Sequence, residues 1–189
     1  MAEATPRRTE TRQRILDAAG RLFRQNGIDG TGVDAVMKQA GLTHGGFYAH
    51  FPSKEALAAE VARGLLERAA RTWDEVSRTE PSDEALRHIV LSYLDPDRIA
   101  SGLGCPLTSL GPEVARRSAA RTAIGGALRG MLDALARLLP GRRDRALVAL
   151  STLVGAVVLA RLADDPDQAH AFLDAAASSV LSSRVTDPG

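Results

Sequence analysis

The chain has 189 residues, of which 44% are hydrophobic, 25% charged and 4% aromatic, the balance of a globular protein rather than a disordered or fibrous one. Its formal net charge is +1, so charge as a whole points to no partner, but its distribution is uneven. Residues 1–54 carry +3 and the remainder −2, a cationic head on a faintly acidic body, which suits phosphate contact at one end. The one cysteine, Cys105, excludes an intramolecular disulfide framework, and the polar N-terminus lacks the apolar stretch of a signal peptide, so a reducing cytoplasm is the expected location. The most apolar run, 146–160, is interrupted by Ser151, Thr152 and Gly155. It is shorter than the roughly 20 residues a membrane span needs, so it is read as a helix buried by protein, with no membrane partner.

Ala, Leu, Arg and Glu recur throughout and no strand alternation stands out, which predicts an all-α fold. Residues 1–8 read as a flexible basic arm. Ile15, Ala18, Ala19, Leu22 and Phe23 then fall at offsets 0, 3, 4, 7 and 8, the stripe of an amphipathic helix over 9–26 that Gly27 can stop. Val33, Val36, Met37 and Ala40 repeat the pattern over a second, short helix closed by Gly41, and Thr43 can cap a third over 44–51. Ser53 is a natural N-cap for a long helix carrying Leu57, Val61, Leu65, Ala69 and Trp73 to about residue 79. Further helices are expected at 83–95, 97–103, 106–110, 112–139, 142–164 and 167–183, with Pro106, Pro112, Pro140, Gly141 and Pro166 as boundaries.

Two short helices joined through Ala40-Gly41-Leu42 make a helix-turn-helix, whose second member enters the major groove of a duplex. A glycine between two helices is weak by itself. The string that follows is stronger: Gly45-Gly46-Phe47-Tyr48-Ala49-His50-Phe51-Pro52-Ser53-Lys54-Glu55-Ala56-Leu57. Two glycines inside a helix cost about 1 kcal/mol each against alanine, wasteful unless bare backbone must approach something closely. Phe47 and Phe51, at i and i+4, should face the core and turn Tyr48 outward.

From Arg14 to Leu57 the chain resembles the tetracycline-repressor (TetR) family. The matching residues are Ile15-Leu16-Asp17-Ala18-Ala19, Leu22-Phe23, Gly27, Thr31, the Ala40-Gly41-Leu42 turn and the aromatic run to Leu57. The resemblance implies a three-helix DNA-binding domain, 9–53, followed by a helical ligand-binding and dimerisation domain, 54–189. It implies a repressor that binds a palindromic double-stranded DNA operator as a homodimer and is released by a small-molecule effector, without a cofactor or metal. Thr31, Thr43, Tyr48, His50 and Lys54 are then the expected phosphate contacts, and His44, Gly45 and Lys38 or Gln39 the base readers, with Gly46 allowing close approach. His44 departs from the basic residue frequent here in the family, so part of the specificity is expected from DNA shape.

The family likeness also assigns a pocket and a dimer interface to the body. Trp73, His88, Tyr93, Leu103, Cys105 and Leu107 are the pocket candidates, followed by Met131 and Leu135. Leu147, Leu150, Val154, Val157 and Val158 with Phe172, Leu173, Ala176 and Val180 are the interface candidates, because the run 142–164 is apolar on nearly all sides and suits a four-helix bundle shared between subunits. The alternative is that these residues are core of one protomer. Cys105 before Pro106 sits at an expected helix N-terminus, where the dipole lowers a thiol pKa, so electrophile or redox sensing stands as a second reading beside an inert buried cysteine. Two other classes compete: an enzyme using Cys105 with His88 or His170, for which no partner motif exists, and a helical adaptor that does not bind DNA, which would leave the glycine pair and basic head without a purpose.

Overall fold

The computed structural model describes residues 6–101, 104–139 and 143–182. Among these the elements are α1 (Pro6–Asn26), α2 (Val33–Gln39), a 3-10 helix (His44–Ala49), α3 (Lys54–Thr79), α4 (Ser82–Tyr93), α5 (Pro96–Ala100), α6 (Pro106–Ala115), α7 (Ser118–Leu138), α8 (Arg143–Leu162) and α9 (Pro166–Ser182). The chain divides into two compact units, residues 1–65 with 109–125 and residues 66–108 with 126–189. Helices α3, α6 and α7 each contribute residues to both.

In the first unit α1 starts at Pro6, earlier than the sequence predicts, so Arg7 and Arg8 are helical. Proline is favourable at a helix start because its missing N–H would have had no partner. The remaining arm, residues 1–5, lies outside the described residues. Ile15, Ala18, Ala19 and Phe23 are buried as their spacing predicts. Gly27 ends the helix in the left-handed region at φ 76 and its N–H bonds Phe23 O at 2.9 Å, while Gly41, at φ 68, ends the turn after α2 in the same way. Ser53 caps α3, its Oγ accepting from Ala56 N–H at 3.1 Å. Thr43 does not cap the 3-10 helix: it makes no side-chain cap bond.

The predicted boundary at Pro112 is wrong, since Pro112 lies inside α6 and the break falls between Ala115 and Ser118. Leu110 and Val114, at i and i+4, are both 2% exposed in the first unit's core. Burying two such side chains stabilises by about 3–6 kcal/mol, enough to offset the ~3 kcal/mol that an interior proline costs. Glu113, between them in sequence, turns its carboxylate to the α1–α2 turn and accepts from Ile28 N–H at 2.8 Å and Asp29 N–H at 2.9 Å. Arg117 pairs with Asp29 and donates to Glu113 O at 2.9 Å.

The second unit is built on helices that bury Leu86, Ile89, Met131, Leu135, Leu153 and Val157. Helix α9 packs on both α8 and α4. Helix α8 has 20 residues and by length and composition could cross a membrane, longer than the apolar run in the sequence suggests. Ala146, Ala149, Leu150, Leu153, Ala156, Val157 and Ala160 are nevertheless buried within the unit, the pattern of a core helix with one face left over.

Gly27 tests the turn that Glu113 grips. A Cβ there would meet both Glu113 carboxylate oxygens at 3.2 Å with φ at +76. Gly27→Ala is expected to destabilise the protein by about 1–2 kcal/mol, read as a lower urea midpoint, whereas Gly32→Ala, whose Cβ would meet nothing within 4 Å, should shift it far less.

Candidate nucleic-acid interface

The residues after α2 form a 3-10 rather than an α-helix, with Gly46 N–H bonding Thr43 O at 3.1 Å and His50 N–H bonding Phe47 O at 2.9 Å. Gly45 and Gly46 tolerate this tighter winding, and two buried rings fix its rotation. Phe47 and Phe51 are 0% and 1% exposed and stack with centroids 5.9 Å apart. Tyr48 is therefore expelled to 65% exposure, its ring edge-on to Phe47 at 5.2 Å. A Cβ at Gly45 would meet nothing within 4 Å, so the protein's own packing does not require glycine there.

Three arginines of α1 reach this segment. Arg8 Nη2 donates to Ala49 O at 3.0 Å, and Arg14 Nη2 to Ala40 O at 2.6 Å. Arg12 lies with its guanidinium 4.5 Å over the Phe51 ring and forms a two-pronged ion pair with Glu60 of α3. Sequence reasoning placed these arginines only in a general basic head. Their partners lie 26 to 48 residues away along the chain, and no local pattern signals them.

Most of the expected DNA-contacting residues are at least partly exposed. Lys38, Gln39, Thr43, His44, Gly45 and Tyr48 are exposed, and Gly46, His50 and Lys54 partly so. Thr31 is a correction: it is 2% exposed, and its Oγ1 donates to Gly27 O at 2.7 Å, so the hydroxyl braces the α1–α2 turn and does not face a phosphate. His50 has a buried Nδ1 with no hydrogen-bond partner. Burial, then Arg8 and Arg12, push its pKa below the ordinary histidine value, which favours the neutral ring. His44 Nδ1 pairs with Asp34 Oδ1, from the first turn of α2.

In the second unit Trp73 and Tyr93 are each 7% exposed and meet edge to face at 5.7 Å. The Tyr93 hydroxyl is buried beside the Cys105 sulfur without a well-formed hydrogen bond, and burial pushes its pKa up. Leu107 is half-buried at the start of α6, Met131 and Leu135 are fully buried core, and Leu103 lies outside the described residues. His88 leaves the pocket group: it is exposed on α4 with Nδ1 2.8 Å from Glu80 Oε1. Cys105 is half-buried, and its surroundings fit the inert reading better than the sensing one. Burial pushes its thiol up, outweighing the pull of Tyr93, of the Leu107 and Thr108 backbone and of Arg161, because desolvating a thiolate costs more than a few N–H groups return.

The interface candidates separate into two sets. Leu147, at 47% exposed, and Val158, at 38%, are open, and Val154 and Phe172 are half-buried. Leu150, Val157, Leu173, Ala176 and Val180 are instead buried within the protomer, so they are core and have no surface left to give a partner. Val148 at 65% and Leu162 at 76% are the most exposed apolar residues of α8, and the sequence does not single them out because a helix apolar on all sides has no face to read.

A short helix-turn-helix with a bared second helix, joined to an all-helical body, defines the class of the DNA-binding regulators. Residues 15–61 match the family described as bacterial regulatory proteins, tetR family. The HTH-type transcriptional regulator AcrR of Shigella flexneri is 48% identical over 52 residues, 28% of this chain and 24% of that protein. The chain covers 24%, 31% and 32% of the length of the first three curated relatives it matches. Over the whole chain the fold is similar to SCO4454, a TetR-family transcriptional regulator from Streptomyces coelicolor, with a TM-score of 0.72 and 26% identity over 92% of this chain and 95% of that one. It is also similar to the reduced form of E. coli NemR, with a TM-score of 0.76 and 21% identity over 88% and 95%.

The Arg12–Glu60 pair gives a pH prediction. Arg12, first by its hydrogen bond, holds the Glu60 pKa below the usual carboxylate range. A depressed folded pKa contributes stability that is complete above the unfolded value, about 4.3, and is lost as pH falls through the folded one. Glu60→Gln should therefore lower the melting temperature at pH 7 and narrow the gap between the two proteins as pH drops below about 4; an unchanged gap would show that the pair adds nothing.

Proposed function

We propose that the protein is a transcriptional repressor that binds a palindromic operator as a homodimer in the cytoplasm and lets go when a small molecule occupies its body. The observation that carries the DNA reading is the split personality of one short helix. Phe47 is wholly buried while His44, Gly45 and Tyr48 on the same turn are open, next to exposed Lys38, Gln39 and Thr43. Lys54, at the start of α3, adds a charge and a helix N-terminus for phosphate.

The homodimer is supported by α8. Leu147, Val148, Val158, Leu159 and Leu162 are exposed on a single helix, and an exposed apolar stripe of this kind on a charged protein asks for a cover. A second copy supplies the same stripe by twofold symmetry, which also sets two recognition helices at a fixed spacing on the duplex. The effector reading is supported by Trp73 and Tyr93: an apolar, aromatic surrounding with one unsatisfied hydroxyl is the makeup of a small-molecule site. An effector acts only by preferring one arrangement of the body over another, and α3 is one of three helices with residues in both units that could carry the change. Thiol sensing at Cys105 has the fold likeness to reduced NemR in its favour, but burial works against the reactive thiolate.

Selection of bound duplexes from a random pool should return a palindrome, with affinity falling steeply as salt rises. Tyr48→Phe should weaken binding roughly tenfold, the worth of one hydrogen bond to a charged oxygen. Binding that ignores both salt and sequence would end the reading. For the assembly, sedimentation velocity of wild type should give a dimer, and Val148→Glu with Leu162→Glu a folded monomer with weakened operator affinity. A wild-type monomer would refute the dimer and leave DNA binding standing.

A further inference from the structure

We propose that Asp34 is a positioning residue for sequence readout: it holds the imidazole of His44 by Nδ1 so that the opposite edge, Nε2, reads one base pair in each half-site. The inference rests on the DNA-binding reading above.

The argument begins with what the pair does not do. The Asp34 side chain is 83% exposed and that of His44 53%, and an ion pair so open to water contributes little to stability. An acidic residue beside a surface meant for phosphates also repels the duplex, so on affinity alone Asp34 is a cost. A carboxylate in the first turn of α2 favours the helix dipole, but that role does not require it to reach the first residue of the next helix. What the contact does change is the state of the ring.

An imidazole without a fixed partner exchanges its proton between two nitrogens, and each tautomer offers a duplex a different pattern. A carboxylate accepts but cannot donate, so at Nδ1 it selects the tautomer with the proton there. Nε2 is then an acceptor in the neutral ring, suited to the amino group of adenine or cytosine in the major groove, and a donor to guanine only when the ring is charged. Tyr48 bounds the ring on another side, edge-on with centroids 6.3 Å apart. The imidazole is thereby held by one residue of α2 and one of its own helix. Residues 43–50 contain no Arg, Lys, Asn or Gln, so no cationic or amide side chain from this helix competes for the base edge.

The test compares wild type, Asp34→Ala, Asp34→Asn, His44→Ala and the Asp34→Ala/His44→Ala pair. Each is checked for folding by thermal melting and titrated at one pH and salt against the selected operator and its single-base-pair variants. Wild type should discriminate at one position per half-site on the order of tenfold. His44→Ala and Asp34→Ala should each abolish discrimination at that same position, with no further loss in the double variant. Asp34→Asn, which keeps an oxygen to accept the Nδ1 proton, should retain it. Average affinity of Asp34→Ala for all duplexes should rise, opposite to the loss of selectivity, because an acid has been removed. Undiminished discrimination in Asp34→Ala at the position His44→Ala abolishes would overturn the proposal, as would full discrimination everywhere in His44→Ala. Wild type without preference for any duplex would remove the DNA reading itself, an outcome distinct from both.

Discussion

Phe47 and Phe51 lie stacked in the core of the first unit, and their burial sets the rotation of the 3-10 helix that carries Phe47 and leads into Phe51. Each fully buried phenylalanine stabilises by about 1.5–3 kcal/mol, against about 1 kcal/mol for each of the two glycines the helix contains. Packing therefore outweighs the poor local propensity, and a segment that would not form by itself is held at one angle. Tyr48 is driven out by the same rotation, and Arg12 lies over the Phe51 ring and is clamped to Glu60. The exposed surface is a by-product of what is buried beneath it.

The α1–α2 turn is held by a second device. Glu113 accepts from two successive backbone N–H groups past Gly27, and Arg117 pairs with the neighbouring Asp29. Thr31 adds its hydroxyl to the Gly27 carbonyl. Buried or crowded backbone needs such partners, since an unsatisfied group costs more than a formed bond contributes. The second unit solves the opposite problem. Helix α8 has more apolar surface than α9 and its other neighbours in the unit cover, and the remainder stays open at Val148 and Leu162.

The positions where structure departs from sequence share a cause. Thr31 reads as a phosphate contact and His88 as a pocket residue because only their types and places are visible in the sequence. Their fates depend on the Gly27 carbonyl and the Glu80 carboxylate, which the fold brings to them. Pro112 reads as a helix stop, yet Leu110 and Val114 on either side are core. Cys105 reads either as an activated thiol at a helix start or as an inert one, and desolvation favours the second. In each case a rule based on residue type and place loses to a contact or a burial that the type alone does not show.

The helical periods, the glycine stops at Gly27 and Gly41, the Ser53 cap and the inward Phe47 and Phe51 were all determined by the sequence alone, because each depends on neighbours within about four residues along a helix. Only the tertiary structure decided which arc of α8 is core and which is open, which arginines of α1 brace the recognition helix, and that Asp34 meets His44. Those pairings join residues 10 to 48 positions apart. A chain acquires them only when hydrophobic burial has fixed the angle between its helices, and no periodicity in the sequence encodes that angle.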